Sequence, residues 1–210
     1  MIQRIKRIPF LTPALFKFFR IRRNTRDKIY RFRTKGTLAP SSRFLVMKMV
    51  NKINFNADVH ILQLGFGDGV FSRQILNQMS KNSKLTIFEI DKRCRKHKIN
   101  DPRIHYIEDS AENISDYFHP DSFDHIISTL PFASLPRSMS ESIFEQIQQH
   151  IRQDGKFLQY QYSLVSKNDI ENLFDRKPSI DFVLLNLPPA FIYETRNPQN
   201  STVNEPVLLS

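Results

Sequence analysis

Three of the chain's five glycines sit within five positions, at Gly65, Gly67 and Gly69, and an apolar run over 59–64 leads straight into them. From Val70 the apolar residues take helical spacing, so the segment reads as a buried strand that turns at once into a helix. Such a loop needs positive φ angles and lets the backbone come close to a ligand, and glycine supplies both. The first amides of the helix can then receive a ligand's polar end. Taken alone, the same loop can be a tight turn with no ligand, so the rest of the chain has to decide.

After Asn54 strands and helices alternate. Strands are predicted over 59–64, 85–90, 104–107, 123–128, 156–162, 182–187 and 190–195, and helices over 70–79 and 140–151, with Gly155 ending the second helix. Seven strands arranged this way imply an α/β fold whose mostly parallel sheet is covered by helices on both faces. Ahead of it, Ser41-Ser42 opens a helix in which Phe44, Leu45, Met47, Met49 and Val50 supply apolar faces. Earlier still, Thr12-Pro13 starts a basic, amphipathic, aromatic-rich helix, broken by Gly36. The expected organisation is an arm over 1–35, a domain over 36–196 and a disordered polar tail over 197–210.

Two acidic positions follow the glycine loop at informative places. Glu89 stands at the end of the second strand, 20 residues beyond Gly69, where a planar carboxylate accepts both hydroxyls of a ribose. Asp91 can share or take that role. After the third strand comes Glu108-Asp109-Ser110-Ala111, where an acid can accept a hydrogen bond from an adenine amino group; a surface turn is the competing reading. All three features lie at the ends of successive strands, where open α/β sheets bind ligands. Metal chemistry has no support: the six histidines show no ligand spacing and Cys94 is the only cysteine. A lone cysteine also excludes a disulfide framework and agrees with a reducing, cytoplasmic setting.

Charge divides the chain. The first 52 residues hold 15 Lys or Arg against one acid, Asp27, while the remainder is mildly acidic. A cationic arm on such a body points to a polyanionic partner, either a nucleic acid or an anionic membrane surface. No apolar run is long enough to span a bilayer, and Lys17 interrupts the one stretch that could pass for a signal peptide.

With Val70 following Gly69, the loop resembles the class I S-adenosylmethionine-dependent methyltransferases, whose pattern is G-x-G-x-G, rather than dinucleotide enzymes with G-x-G-x-x-G. That resemblance implies a Rossmann-like fold, S-adenosylmethionine as cofactor, and cofactor contacts at Gly65, Gly67, Gly69, Glu89, Asp109, Ser110 and Ala111. Gln63 departs from the pattern, because an acid usually stands two residues before the first glycine, near the cofactor's amino group. Glutamine can still accept a hydrogen bond there, without the charge.

From about 36 to 195 the chain resembles the small bacterial phospholipid N-methyltransferases, which methylate phosphatidylethanolamine. Gly36-Thr37-Leu38-Ala39-Pro40-Ser41-Ser42 is similar to the segment before that family's first domain helix. Ser128-Thr129-Leu130-Pro131-Phe132 is similar to the stretch where a methyl acceptor sits, and Asn186-Leu187-Pro188-Pro189-Ala190 to a late turn. The Ala-Pro-Ser-Ser and Asn-Leu-Pro-Pro pieces are the more specific. The resemblance adds Ser41, Ser42, Gln63 and Ser128 to the cofactor site, and Leu130 and Pro131 to the acceptor site. Tyr30, Tyr160 and Tyr162 become candidates for lining the head-group site, since aromatic faces accept methylated ammonium; the competing reading is ordinary packing. It also implies docking on the inner face of the cytoplasmic membrane, with Phe16, Phe18 and Phe19 entering the interface while Arg20, Arg22, Arg23 and Arg26 meet phosphates. A solvated helix packed on its own domain is the alternative.

An ethanolamine ammonium must lose a proton before it can attack a methyl group, and cations on the arm would favour that loss. No single residue stands out as a catalytic base. The rival family is the ribosomal RNA adenine dimethyltransferases, which carry Asn-Leu-Pro-Tyr after the fourth strand; Thr129 cannot present the same amide, so a nucleic-acid substrate is disfavoured. A lipid- or RNA-binding relative that has lost catalysis is the non-enzymatic alternative.

Overall fold

The computed structural model describes residues 41–164 and 167–197. The expected arm, with Phe16, Phe18, Phe19, Arg20, Arg22, Arg23, Arg26 and Tyr30, lies outside the described residues. Helix α1 spans Arg43–Val50, capped by the Ser42 side chain, which accepts from the Leu45 amide. Strand β1 (His60–Leu64) runs through the glycine loop into α2 (Val70–Leu76), and β2 (Lys84–Phe88) and β3 (Ile104–Ile107) follow. Then come β4 (Phe123–Ser128), α3 (Arg137–His150), β5 (Ile151–Gln161), α4 (Lys167–Phe174), β6 (Ser179–Val183) and β7 (Ala190–Arg196), with short 3-10 turns between.

These strands form one seven-stranded sheet in the order β3-β2-β1-β4-β5-β7-β6. All pairs are parallel except those that β7 makes with β5 and β6. The strand order reverses between β1 and β4, which opens a crevice at their carboxyl ends. Because β6 runs with the parallel set, the β6–β7 turn rises on that same edge.

Alternation along the strands divides the core into two faces. On β1, Ile61 joins Leu45 and Met49 of α1 and Phe71 and Ile75 of α2. Leu62 and Leu64 point the other way, toward Ile143, Phe144 and Ile147 of α3. Each such buried side chain contributes about 1.5–3 kcal/mol, and both layers brace the strand that carries the glycine loop.

Several boundaries differ from the sequence pattern. Helix α2 stops at Leu76, and α3 starts at Arg137. Gly155 does not end a helix: the chain passes directly from His150 into β5, and Gly155 lies inside the strand, where the β4–β5 register shifts. A Cβ there would sit 2.7 Å from the Arg152 carbonyl and 3.0 Å from that of Asp124, so glycine serves a bulge. Helix α4 was not anticipated, although Ile170 and Phe174 are buried one turn apart. The sixth strand lies at 179–183 rather than 182–187, and Leu184, Leu185 and Leu187 form an exposed turn. Asn197, assigned to the tail, donates from its amide to the Gly155 carbonyl at 2.9 Å.

Candidate active site

The first half of the carboxyl edge is organised by Glu89. Its buried carboxylate accepts from the amides of Phe66 at 2.9 Å, Gly67 at 3.1 Å and Asp91 at 2.8 Å. Gly65, Gly67 and Gly69 all have positive φ. At Gly69 (φ 77) a Cβ would lie 2.8 Å from the Phe66 ring, so a side chain there would displace the residue that walls the crevice. Phe66 meets Tyr106 edge to face at 5.3 Å. Together Phe66, Glu89, Asp91, Cys94, Tyr106, Ile107 and Glu108 line a small cleft. Apolar walls beside the Glu89 and Asp91 carboxylates suit a nucleoside, with a base against Phe66, Tyr106 and Ile107 and ribose hydroxyls toward the two acids.

Gln63 is fully buried and engaged at both ends of its amide. Its nitrogen donates to the Gly65 carbonyl at 2.7 Å, and its oxygen accepts from the Ser72 hydroxyl at 2.7 Å. It thereby ties β1, the loop and α2 together. An acid at this position could not make the first of these bonds, a reason for glutamine that the sequence pattern does not reveal.

Past β3, Asp109 accepts from the Ser110 amide at 2.7 Å, from Asn113 at 3.0 Å and from the Tyr117 hydroxyl at 3.0 Å. These bonds, the backbone one foremost, hold its carboxyl below the usual range. Ser110 caps the short turn that Ala111 begins, and Ala111 is buried beneath it. Glu108 is engaged by Arg95 and Lys98, whose hydrogen bonds hold its carboxyl down at about 2.

The second half is built differently. Ser128 is fully buried at the end of β4 and accepts from the Leu130 amide at 3.2 Å. Thr129 turns its hydroxyl back to the carbonyls of Leu64 and Gly65, both at 3.2 Å. Leu130 is half-buried and Pro131 exposed. Two residues the sequence reading missed secure this loop: Gln159 and Gln161 of β5 each donate to the Leu130 carbonyl, at 3.0 and 3.2 Å. The Gln159 side-chain oxygen is buried without a partner. Alternate positions on β5, on a polar-looking strand end, were the available signal.

The segments around Ser41-Ser42 and Asn186 meet here. The Ser42 amide donates to the Asn186 side-chain oxygen at 2.8 Å, and Asn186 donates to the Pro188 carbonyl at 2.7 Å. Ser41 donates to the Tyr160 hydroxyl at 3.3 Å. Tyr160 stacks on Phe71 at 5.8 Å and meets Tyr162 edge to face at 5.8 Å. Burial pushes the Tyr162 phenol up, and Tyr160 adds to the effect. The result is an aromatic and hydroxyl-lined corner beside the Leu130 loop.

A family model described as a methyltransferase domain matches residues 61–155. An ornithine lipid N-methyltransferase from Singulisphaera acidiphila is 24% identical over 174 residues, covering 79% of this chain and 90% of that protein. Among solved structures, the N-methyltransferase NodS from Bradyrhizobium japonicum, in complex with S-adenosyl-L-homocysteine, superposes with a TM-score of 0.61 at 12% identity. It covers 84% of this chain and 100% of its own. Spermidine synthase from Thermotoga maritima gives 0.58 at 15% identity, over 75% and 60% of the two chains. The last two likenesses show the fold alone.

Proposed function

We propose that the chain is a class I S-adenosylmethionine-dependent methyltransferase that methylates the amine head group of a membrane lipid, phosphatidylethanolamine and its methylated forms. The observation that carries this reading is the corner where Ser41, Ser42, Tyr160, Tyr162 and Asn186 meet beside the Leu130 loop. Its aromatic faces suit an amine that becomes a methylated ammonium. The 24% identical ornithine lipid N-methyltransferase supports a lipid amine as the acceptor class.

S-adenosylmethionine supplies an electrophilic methyl group on a sulfonium. Gly65, Gly67, Gly69, Glu89 and Asp91 would hold it, with Phe66, Tyr106 and Ile107 against its base. The chain's own contribution is to fix the acceptor: Gln159 and Gln161 pin the Leu130 carbonyl, Ser128 pins the Leu130 amide, and Gln159 also donates to the Tyr160 carbonyl at 2.6 Å. Holding two reactants at attack distance can supply several kcal/mol of catalysis, up to about 7–11. Among the described residues no helix is long and apolar enough to cross a membrane. The arm is therefore the proposed lipid contact: its clustered cations, at about 1 kcal/mol each on an anionic surface, would keep the enzyme peripheral on the cytoplasmic face.

The test is incubation of the full chain with methyl-labelled cofactor and mixed lipid vesicles, with RNA as a parallel substrate, followed by identification of the labelled product. Label on phosphatidylethanolamine or its methylated forms is the expected result. Label on ornithine lipid alone would move the acceptor within the lipid class, and label on RNA alone would overturn the reading. The RNA outcome is disfavoured because Thr129 commits its only side-chain polar group to the carbonyls of Leu64 and Gly65.

A further inference from the structure

Leu184, Leu185 and Leu187 form the turn between β6 and β7, and they are 68%, 62% and 77% exposed. Three leucines so placed on one short turn are unusual for a free surface. The turn is not loose: Val183 and Ala190 on either side are buried in the core, and Asn186 between the leucines is buried and bonded to the Ser42 amide. Phe44, two residues past Ser42 in the first turn of α1, is 59% exposed, and Arg43 before it is exposed as well. The turn crowns the carboxyl edge, next to Tyr160 and Tyr162. Residues 1–40, with their clustered cations, join the fold at Ser41, which is bonded to Tyr160.

We propose that this leucine turn is a hydrocarbon anchor that inserts into the lipid bilayer and sets the acceptor corner at head-group depth. It rests on the lipid-amine reading for its purpose, since a rigid apolar knob beside the acceptor site brings that site to the membrane surface. The occupant is a bilayer rather than a protein partner because the knob is aliphatic, sits beside the site, and is adjoined by an arm whose charge complements anionic lipid. The arm and the turn then divide the work: the arm senses surface charge, and the turn senses hydrocarbon.

Salt separates the two. At roughly 1 M salt the screening length falls to about 3 Å, so the arm's attraction fades and the turn's remains. Full-length protein should co-sediment with phosphatidylcholine vesicles under those conditions. The triple variant Leu184→Ser/Leu185→Ser/Leu187→Ser should lose about a hundredfold in partitioning, with its affinity for S-adenosylhomocysteine unchanged. Equal partitioning of variant and wild type overturns the proposal. So does a wild-type dimer that the variant abolishes with no change in vesicle binding, since the surface would then join two copies. Should the variant misfold, Leu187→Trp provides a second reading: its fluorescence should shift to the blue on adding vesicles, and no shift overturns the proposal. Docking is read without turnover, so vesicle binding that survives alongside failed lipid methylation would sink the substrate reading and leave the anchor standing.

Discussion

On the β1–β3 side of the carboxyl edge, Glu89 reaches the glycine loop across 22 and 23 positions of sequence. On the β4–β6 side, Ser41 reaches Tyr160 across 119 positions and Ser42 reaches Asn186 across 144. The proposed cofactor half is thus a nearly contiguous strand-loop-helix-strand unit that carries its own geometry. The proposed acceptor half exists only when the segment at Ser41-Ser42 and the last hairpin have come together. Spermidine synthase and an N-methyltransferase share the overall architecture that carries both halves.

If the halves are separable, damage to each should read out differently. The largest effect is expected from Glu89→Ala, which leaves three backbone amides without their acceptor. At about 1–3 kcal/mol for each buried unsatisfied group, stability should fall by roughly 3 kcal/mol or more, and calorimetry should find no binding of S-adenosylhomocysteine. Gln63→Glu comes next. It places a carboxylate against the Gly65 carbonyl that Gln63 now serves at 2.7 Å, so stability should drop by about 1–3 kcal/mol. Cofactor affinity should not improve, although the acid common in this class has been restored; a tighter Kd would contradict the tie assigned to Gln63.

Asn186→Ala should act on the other half. Severing the Ser42 contact should lower kcat/KM for the proposed lipid acceptor about tenfold, with the cofactor Kd unchanged in titration. A parallel loss of cofactor binding would erase the distinction between halves.

The amino ends of the strands supply a control. Burial, helped by nearby cations, pulls the imidazoles of His60 and His125 down to about 4. The unfolded chain then binds more protons between about pH 6.5 and 4. This contribution is complete above pH 6.5, lost progressively toward pH 4, and flat below that. His125→Asn should flatten the acid side of the Tm profile by about 3 °C while cofactor affinity stays put. Smallest of all is Arg137→Gln: its ion pair with Glu141 is exposed on both sides, and its removal should change stability by about 0.5 kcal/mol or less.

Legibility in the sequence follows the same division. The third and fourth strands lie where the apolar runs place them, at Ile104–Ile107 and Phe123–Ser128, and Glu89, expected to accept a ribose, accepts from the amides of the glycine loop. Local patterns carry those features. Gly155 misled because a glycine after a helical run looks like a terminator, whereas the approach of the β4 backbone required it. The leucines at 184–187 misled because an apolar run reads as buried strand, and only the fold shows that the strand ends before them. Gln159 and Gln161 showed only their alternation on β5, and nothing near them announces that they share the Leu130 carbonyl. The junction of Ser42 with Asn186 was legible only as two separate likenesses to one family, with no hint that they touch.

The most direct measurement is a crystal structure of the full chain with S-adenosylhomocysteine. The expected result is a ribose whose hydroxyls donate to the Glu89 carboxylate, a base against Phe66 and Tyr106, and a sulfur directed toward the corner formed by Leu130, Tyr160 and Tyr162. A ligand bound elsewhere, or a ribose that makes no contact with Glu89, would contradict the division of the edge on which the whole reading stands.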